Sequence, residues 1–297
     1  MPHMTLLKTA RILVKKHNFT GQGLREAIPY INAFNGKRFV LKIGGSVLND
    51  LSLIPLLIED VVFLKKVGIS VILVHGGARQ LSEAMTARNL PVEVKDGLRV
   101  TSAEALELAA EVFMEISQAI KTEIETNGYK GAIFGRDSGL VKSTQIDPAA
   151  GLGFVGVPES VDVALLSALA KDVIPIVSAI TAGVSARDIG FNVNADDVAG
   201  IIASAITAEK LILMTDVDGV LDASGQLLST LTVSQVEELI AQKVIHGGMI
   251  PKVQTCLNTL RGGTQKCHII KGSARSFMDE ILTDRGVGTE FIRDKAP

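Results

Sequence analysis

The chain has 297 residues, a formal net charge of −2, 47% hydrophobic residues and 28 glycines. That length can bury a large core as one domain or two closely packed lobes, and the glycine share implies many tight turns. Near-neutral charge removes the argument for nucleic acid or an anionic membrane as partner, so a small anionic substrate must be held by local groups.

In chain order, Thr5 to His17 reads as an amphipathic helix, with Leu6, Leu7, Ala10, Leu13 and Val14 opposite Lys8, Arg11 and Lys15. Thr20-Gly21-Gln22-Gly23 is expected to break it. Asn18-Phe19-Thr20 matches a glycosylation acceptor, which is read as accidental because no secretory leader is expected. The amphipathic stripe in residues 1–36 needs a surface to cover, either its own domain or the same helix of another subunit.

From Arg38 the pattern alternates. Phe39-Val40-Leu41 is a short buried strand ending in Lys42-Ile43-Gly44-Gly45, followed by a helix over Ser52 to Lys66. Val71 to Val74 is a second strand ending in His75-Gly76-Gly77-Ala78, followed by a helix to Arg88. Strands that are apolar on both faces and alternate with helices predict a covered parallel sheet, whose ligands sit at the carboxyl ends of its strands. Val92 to Val100 reads as a small hairpin carrying Arg99, and Ser102 caps a long helix over Ala103 to Thr126. Residues 131–157 are expected to form an antiparallel insertion, with a helix near Val161 to Leu169 and a buried strand at Val173 to Val177.

Phe191-Asn192-Val193-Asn194-Ala195-Asp196-Asp197 then opens an apolar run from Val198, the composition of a capped, buried helix. Taken alone, the cluster reads as capping. Beyond it come a strand at Lys210 to Met214 ending in Thr215-Asp216-Val217-Asp218-Gly219, a turn around Ala223 to Gln226 joining two short strands, and a helix over Val233 to Gln242. A helix opened by Gly247-Gly248-Met249-Ile250-Pro251-Lys252 runs to Arg261; a strand at Lys266 to Ile270 and a helix over Arg275 to Leu282 follow. Cys256 and Cys267 lack CxxC spacing and fit a reduced, cytoplasmic setting as small core residues. The most apolar stretch, Val198 to Ala208, is about half of what a bilayer span needs.

Gly151-Leu152-Gly153-Phe154-Val155-Gly156 fits a dinucleotide pattern, but no strand precedes it and no helix opens at its third glycine, so it reads as turns. No P-loop, protein-kinase signature, zinc motif or nucleophile elbow is present. What remains is distributed: Lys42 before two glycines, Gly76-Gly77 on the next strand, Lys252 behind Gly247-Gly248, and Arg99 overhanging the edge. Each alone is a snorkelling lysine, a tight turn or a surface arginine. Together they suit phosphoryl transfer, which depends on positioning and on neutralising charge.

These segments, with Gly97 to Thr101, Asn192 to Asp196, Thr215 to Gly219 and Gly288-Thr289, resemble in order the amino-acid kinase family, and within it the branch that phosphorylates N-acetyl-L-glutamate. The resemblance implies an open, mainly parallel eight-stranded sheet between helices, an α/β fold with an extra N-terminal helix. It implies an acyl-amino-acid lobe over 37–190 and an ATP lobe over 191–297. It also implies Lys42 and Lys252 neutralising the transferred group, Asp196 orienting both, and Gly44 and Gly45 offering amides to phosphate. Gly76, Gly77, Arg99, Asn192 and Asn194 would take the substrate, with Arg99 on its α-carboxylate. Thr215, Asp216, Val217, Gly219, Gly247 and Gly248 would line the nucleotide site, with Mg²⁺ carried by ATP.

The N-terminal helix resembles that of the arginine-inhibited branch, which implies a dimer, or a hexamer built as a trimer of dimers. His268, Glu280 and Gly286 match its arginine site. Where the family has a third glycine this chain has Ala78, followed by Arg79, which keeps N-succinyl-glutamate open as substrate. A catalytically silent arginine-sensing module is the other alternative.

Overall fold

A computed structural model describes residues 21–50, 52–95, 97–185, 188–273, 276–283 and 286–294. The amphipathic helix expected over Thr5 to His17 lies outside the described residues. Gly21-Gln22-Gly23, expected as a break, already belong to a helix, α1 (Gly21–Phe34). The helices that follow are α2 (Gly45–Leu48), α3 (Leu53–Lys66), α4 (Ala78–Ala87), α5 (Ala103–Thr126), α6 (Val163–Ser167), α7 (Ala195–Ala205), α8 (Val233–Ala241), α9 (Met249–Arg261) and α10 (Ser276–Leu282).

The main sheet is built from β1 (Arg38–Ile43), β2 (Ser70–His75), β5 (Lys130–Phe134), β8 (Val173–Ser178), β11 (Lys210–Thr215), β12 (Thr230–Thr232), β13 (Lys266–Lys271) and β14 (Thr289–Ile292). Its eight strands run in the order β12-β14-β13-β11-β1-β2-β8-β5, and every neighbouring pair is parallel except β13 with β14. The two central strands are apolar on both faces because helices cover both. Register matters for the site: Lys42 on β1 stands level with Val74 of β2 on one flank and Leu213 of β11 on the other. The carboxyl ends of β11, β1 and β2 therefore open side by side at one edge.

Two smaller sheets sit at that edge. β3 (Val94–Lys95) and β4 (Leu98–Arg99) form the expected hairpin. β6 (Val141–Gln145), β7 (Val155–Val161), β9 (Ile180–Gly183) and β10 (Phe191–Val193) close into a small barrel. This corrects the expectation of an antiparallel insertion over 131–157. β5 is a parallel edge strand of the main sheet, and the antiparallel β6–β7 pair closes only with strands from beyond residue 179. The turn expected at Ala223 to Gln226 joins a single bridge, Leu221 with Leu227, rather than two strands.

Helix α5 is anchored as its sequence predicts. The Ser102 hydroxyl accepts from the Ala105 N–H at 3.1 Å, and Leu106, Ala109, Phe113, Ile116, Ile120 and Ile124 bury one face. No described helix is long and apolar enough to cross a membrane.

Candidate active site

Two glycine turns form the floor of the site. After β1, Gly44 approaches β11 so closely that a Cβ there would run into the Met214 carbonyl. The Ser46 hydroxyl donates to the Thr215 carbonyl at 2.7 Å, fastening the start of α2, which follows β1, to the end of β11. After β2, the buried His75 ring holds the second turn. A carbonyl only accepts, so Nδ1 carries the proton and donates to the Gly76 oxygen at 2.8 Å, which leaves Nε2 to accept from Ser117 Oγ at 2.7 Å. Burial lowers the His75 pKa to about 4, so the ring stays neutral at pH 7. Because the Gly76–Gly77 peptide is trans, pinning its carbonyl toward His75 turns the Gly77 N–H the opposite way. A Cβ at Gly77 would stand 2.7 Å from Phe113 Cε1 and 2.8 Å from Ile116 Cδ1, so a larger residue would have to push those side chains of α5 aside.

Above the floor, α7 delivers Asp196. Asn194 caps the helix, its side-chain oxygen accepting the Asp196 N–H at 2.9 Å, as the sequence predicts. Asp196 is only 3% exposed and is approached by both lysines: Lys42 Nζ lies 2.8 Å from Oδ1 and Lys252 Nζ lies 2.9 Å from Oδ2. The Lys252 contact is an aligned hydrogen bond. The Lys42 contact is a close charge pair without that alignment, and Oδ1 has no hydrogen-bond donor among the described residues. Burial opposes ionisation of Asp196, but the two ammonium charges and their contacts prevail and hold its pKa at about 2.

Asp197 corrects an expectation. It is more than an acid at a helix start, for Thr255 on α9 donates to its Oδ1 at 2.7 Å. Burial raises the Asp197 pKa, and the Thr255 hydrogen bond works against the rise.

A cleft of about 520 Å³ lies over these groups, lined by Lys42, Asp196 and Lys252 together with Arg99, Asn192 and Asn194. Gly44, Gly45, Gly76, Gly77 and Gly248 also face it. Arg99 reaches from β4 to the first turn of α4, donating from Nη2 to the Ala78 carbonyl at 3.0 Å and to Ser82 Oγ at 2.6 Å. The Asn192 amide donates to Thr101 Oγ1 at 3.2 Å, tying β10 to the segment after the hairpin. Ala78 opens α4 outside the left-handed region, so its methyl strains nothing. Arg79 lines the cleft as well, and pairs with Glu83 at 2.9 Å on the solvent side.

Other predicted residues lie elsewhere. Thr215, Asp216, Val217, Gly219 and Gly247 do not line this cleft; Thr215 ends β11, Asp216, Val217 and Gly219 lie in the turn after it, and Gly247 precedes α9. Thr215 donates to Asp216 Oδ1 at 2.9 Å, which lowers the Asp216 pKa. His268, Glu280 and Gly286 form a separate group under α1. There His268 Nδ1 lies 2.6 Å from Glu280 Oε1, and the Val287 N–H donates to Glu280 Oε2 at 2.7 Å. Lys210, which the sequence reading did not single out, completes that group. Its Nζ is 3.1 Å from His268 Nε2 and 5.2 Å from the centre of the Phe34 ring. Thr255 and Thr101, and Gln80 and Asn49, which line the cleft, were also not foreseen. Only Thr255 carried a readable signal, standing one turn beyond Lys252 on the same helix face.

Two ammonium groups sharing one buried carboxylate, above glycine amides and beside a guanidinium, suit transfer of a multiply charged anion between oxygens. The amino acid kinase family model matches residues 37–271. The chain belongs to the amino acid kinase family. It is 39% identical to the acetylglutamate kinase of Nautilia profundicola over 276 residues, covering 92% of this chain and 97% of that one. It is 38% identical to the acetylglutamate kinase of Symbiobacterium thermophilum over 284 residues, covering 91% and 96%. Among solved structures, the N-acetylglutamate synthase from Neisseria gonorrhoeae in complex with coenzyme A and N-acetyl-glutamate superposes with a TM-score of 0.81 at 24% identity. That match covers 93% of this chain but 64% of the synthase. The carbamate kinase from Giardia lamblia bound to AMP-PNP gives a TM-score of 0.65 at 15% identity, covering 87% and 99%. At such identities these two matches speak for the fold.

Proposed function

We propose that this chain transfers the γ-phosphoryl group of ATP to the γ-carboxylate of N-acetyl-L-glutamate, giving an acyl phosphate and ADP. The observation that carries the reading is Asp196, buried between Lys42 and Lys252 at the cleft. A carboxylate oxygen attacks the γ-phosphorus and the bond to the β-phosphate oxygen breaks, so the electron pair leaves with ADP. The attacking carboxylate is already ionised at neutral pH, so no general base is needed. Lys42 and Lys252 neutralise charge on the transferred group, Asp196 keeps both ammonium groups in place, and the amides of Gly44 and Gly45 hold phosphate oxygens.

Arg99 takes the substrate α-carboxylate; Gly76, Gly77, Asn192 and Asn194 take the rest of the acylated amino acid. Thr215, Asp216, Val217, Gly219, Gly247 and Gly248 hold the nucleotide; residues 37–190 form the acyl-amino-acid lobe and 191–297 the ATP lobe, with Asn192 and Asn194 at the seam between them. Mg²⁺ would come bound to the ATP phosphates, where it would supply charge neutralisation. Arginine feedback through His268, Glu280 and Gly286, assembly through the N-terminal segment and a cytoplasmic setting belong to the same reading. The unpaired, buried Cys256 and Cys267 support the last of these.

Arg79 at the cleft favours a second substrate, N-succinyl-glutamate, whose additional carboxylate it would meet. Trapping the acyl phosphate with hydroxylamine, using ATP and a panel of acylated glutamates, tests both. Hydroxamate from the N-acetyl compound is expected. Hydroxamate from the N-succinyl compound alone would replace the substrate, and none from any would leave a silent, arginine-sensing module.

A further inference from the structure

Asp196 and Asp197 are neighbours in the first turn of α7, yet they grip α9 at two different points. Asp196 takes Lys252 at 2.9 Å, and Asp197 takes the Thr255 hydroxyl at 2.7 Å. Lys252 and Thr255 stand three residues apart on α9 and so share one face. The other side of Thr255 is fixed as well. At Gly200 the two helices are so close that a Cβ would lie 2.9 Å from Thr255 Cγ2 and 2.8 Å from Thr259 Oγ1. The Thr255 side chain is thus held by a hydrogen bond on one branch and a helix backbone on the other, which leaves it a single rotamer. Thr255 is 5% exposed, and neither it nor Asp197 lines the cleft.

We infer that Asp197 and Thr255 form a latch that sets the rotation and height of α9, so that Lys252 meets Asp196 and the transferred group. They are positioning residues, acting through Lys252, and the inference rests on the phosphoryl-transfer reading of the same site. Misplacing one ammonium by a fraction of an ångström weakens stabilisation of the transition state while leaving Arg99 and the glycine turns free to bind substrates.

The test compares Thr255→Val, Thr255→Ser and Asp197→Ala, each also combined with Lys252→Ala. Thr255→Val and Asp197→Ala are expected to lower kcat by about tenfold or more with little change in either KM, and Thr255→Ser to restore most of the loss. In the Lys252→Ala background the same changes should have almost no further effect on the residual rate, because the group they position is gone. Acetylation of Lys252 by acetic anhydride, followed by peptide mass spectrometry, gives a readout that needs no turnover. It should speed up several-fold in Thr255→Val and Asp197→Ala as the ammonium leaves Asp196. Unchanged kcat and unchanged labelling would overturn the latch, as would equal losses with and without Lys252. Should the parent form no hydroxamate, the reaction reading fails, while the labelling still decides the latch.

Discussion

Lys42 Nζ stands 2.8 Å from Asp196 Oδ1 at the carboxyl end of the central strand, and the other oxygen of the same carboxylate holds Lys252 at 2.9 Å. One buried anion thus sets the separation of two cations delivered by distant parts of the chain. Replacing either lysine with alanine should lower kcat by about a hundredfold or more, the usual cost of losing one preorganised charge-stabilising donor. Hydroxamate formation at saturating substrates measures it. A Lys252→Ala enzyme with parental kcat would refute the assignment.

Arg99 already donates two hydrogen bonds to α4, so its guanidinium is oriented before substrate arrives. Arg99→Ala should raise KM for the acylated amino acid about tenfold or more and leave KM for ATP near its parental value. An equal rise in both constants would move Arg99 out of the substrate site.

Acid should weaken the fold through His75. Its folded pKa, about 4, lies below the 6.5 of the free side chain, so the unfolded chain binds the extra proton first. Stability is complete above pH 6.5 and declines as pH falls through the window toward 4, by about 3 kcal/mol over the whole span. Asp196 adds a second loss at lower pH. Its folded pKa is depressed from 3.8 to about 2, so its stabilisation is present above 3.8 and disappears as pH falls toward 2. Urea unfolding across these windows should show a shallower slope between pH 6.5 and 4 for His75→Gln than for the parent. Equal slopes would remove His75 as the cause.

Gly44 and Gly45 are adjacent but differ in the space around them. A Cβ at Gly44 meets the Met214 carbonyl, whereas at Gly45 the nearest atom is Asn49 Nδ2 at 3.6 Å. Gly44→Ala must push β1 from β11 and should lower Tm by several degrees, while Gly45→Ala should melt within about a degree or two of the parent. Calorimetry on the two variants decides it, and similar melting would mean the β1 turn yields.

Much of this architecture was legible because its signals are local. Apolar strands ending in glycine pairs, the Ser102 and Asn194 caps and the lysines beside Gly44 and Gly248 all announce themselves within a few residues. β5 did not. Lys130 to Phe134 is a half-buried edge strand without a continuous apolar run, and its partner β8 lies some forty residues on. The barrel closed by β9 and β10 was hidden for the same reason. At the site, the ion pairs on Asp196 followed from the family resemblance, whereas spacing puts Thr255 on the Lys252 face of its helix but does not name Asp197, on another helix, as its partner. Lys210 was overlooked because it read as the first residue of a strand, and only the fold sets it against His268 and Phe34.

The order of strands at the far edge carries a temporal consequence. β14 is inserted between β12 and β13, and among the described residues β12 has β14 as its one neighbour in the sheet. During synthesis, Thr230 to Thr232 leave the ribosome well before Thr289 to Ile292, so for that interval the emerging edge has nothing to pair with. Thr289 also accepts the Val220 N–H at 2.9 Å, at the turn that follows β11. The half assigned to the nucleotide is thus finished by a late-arriving clasp, and a nascent chain lacking it would expose an open strand to aggregation before it held any ATP.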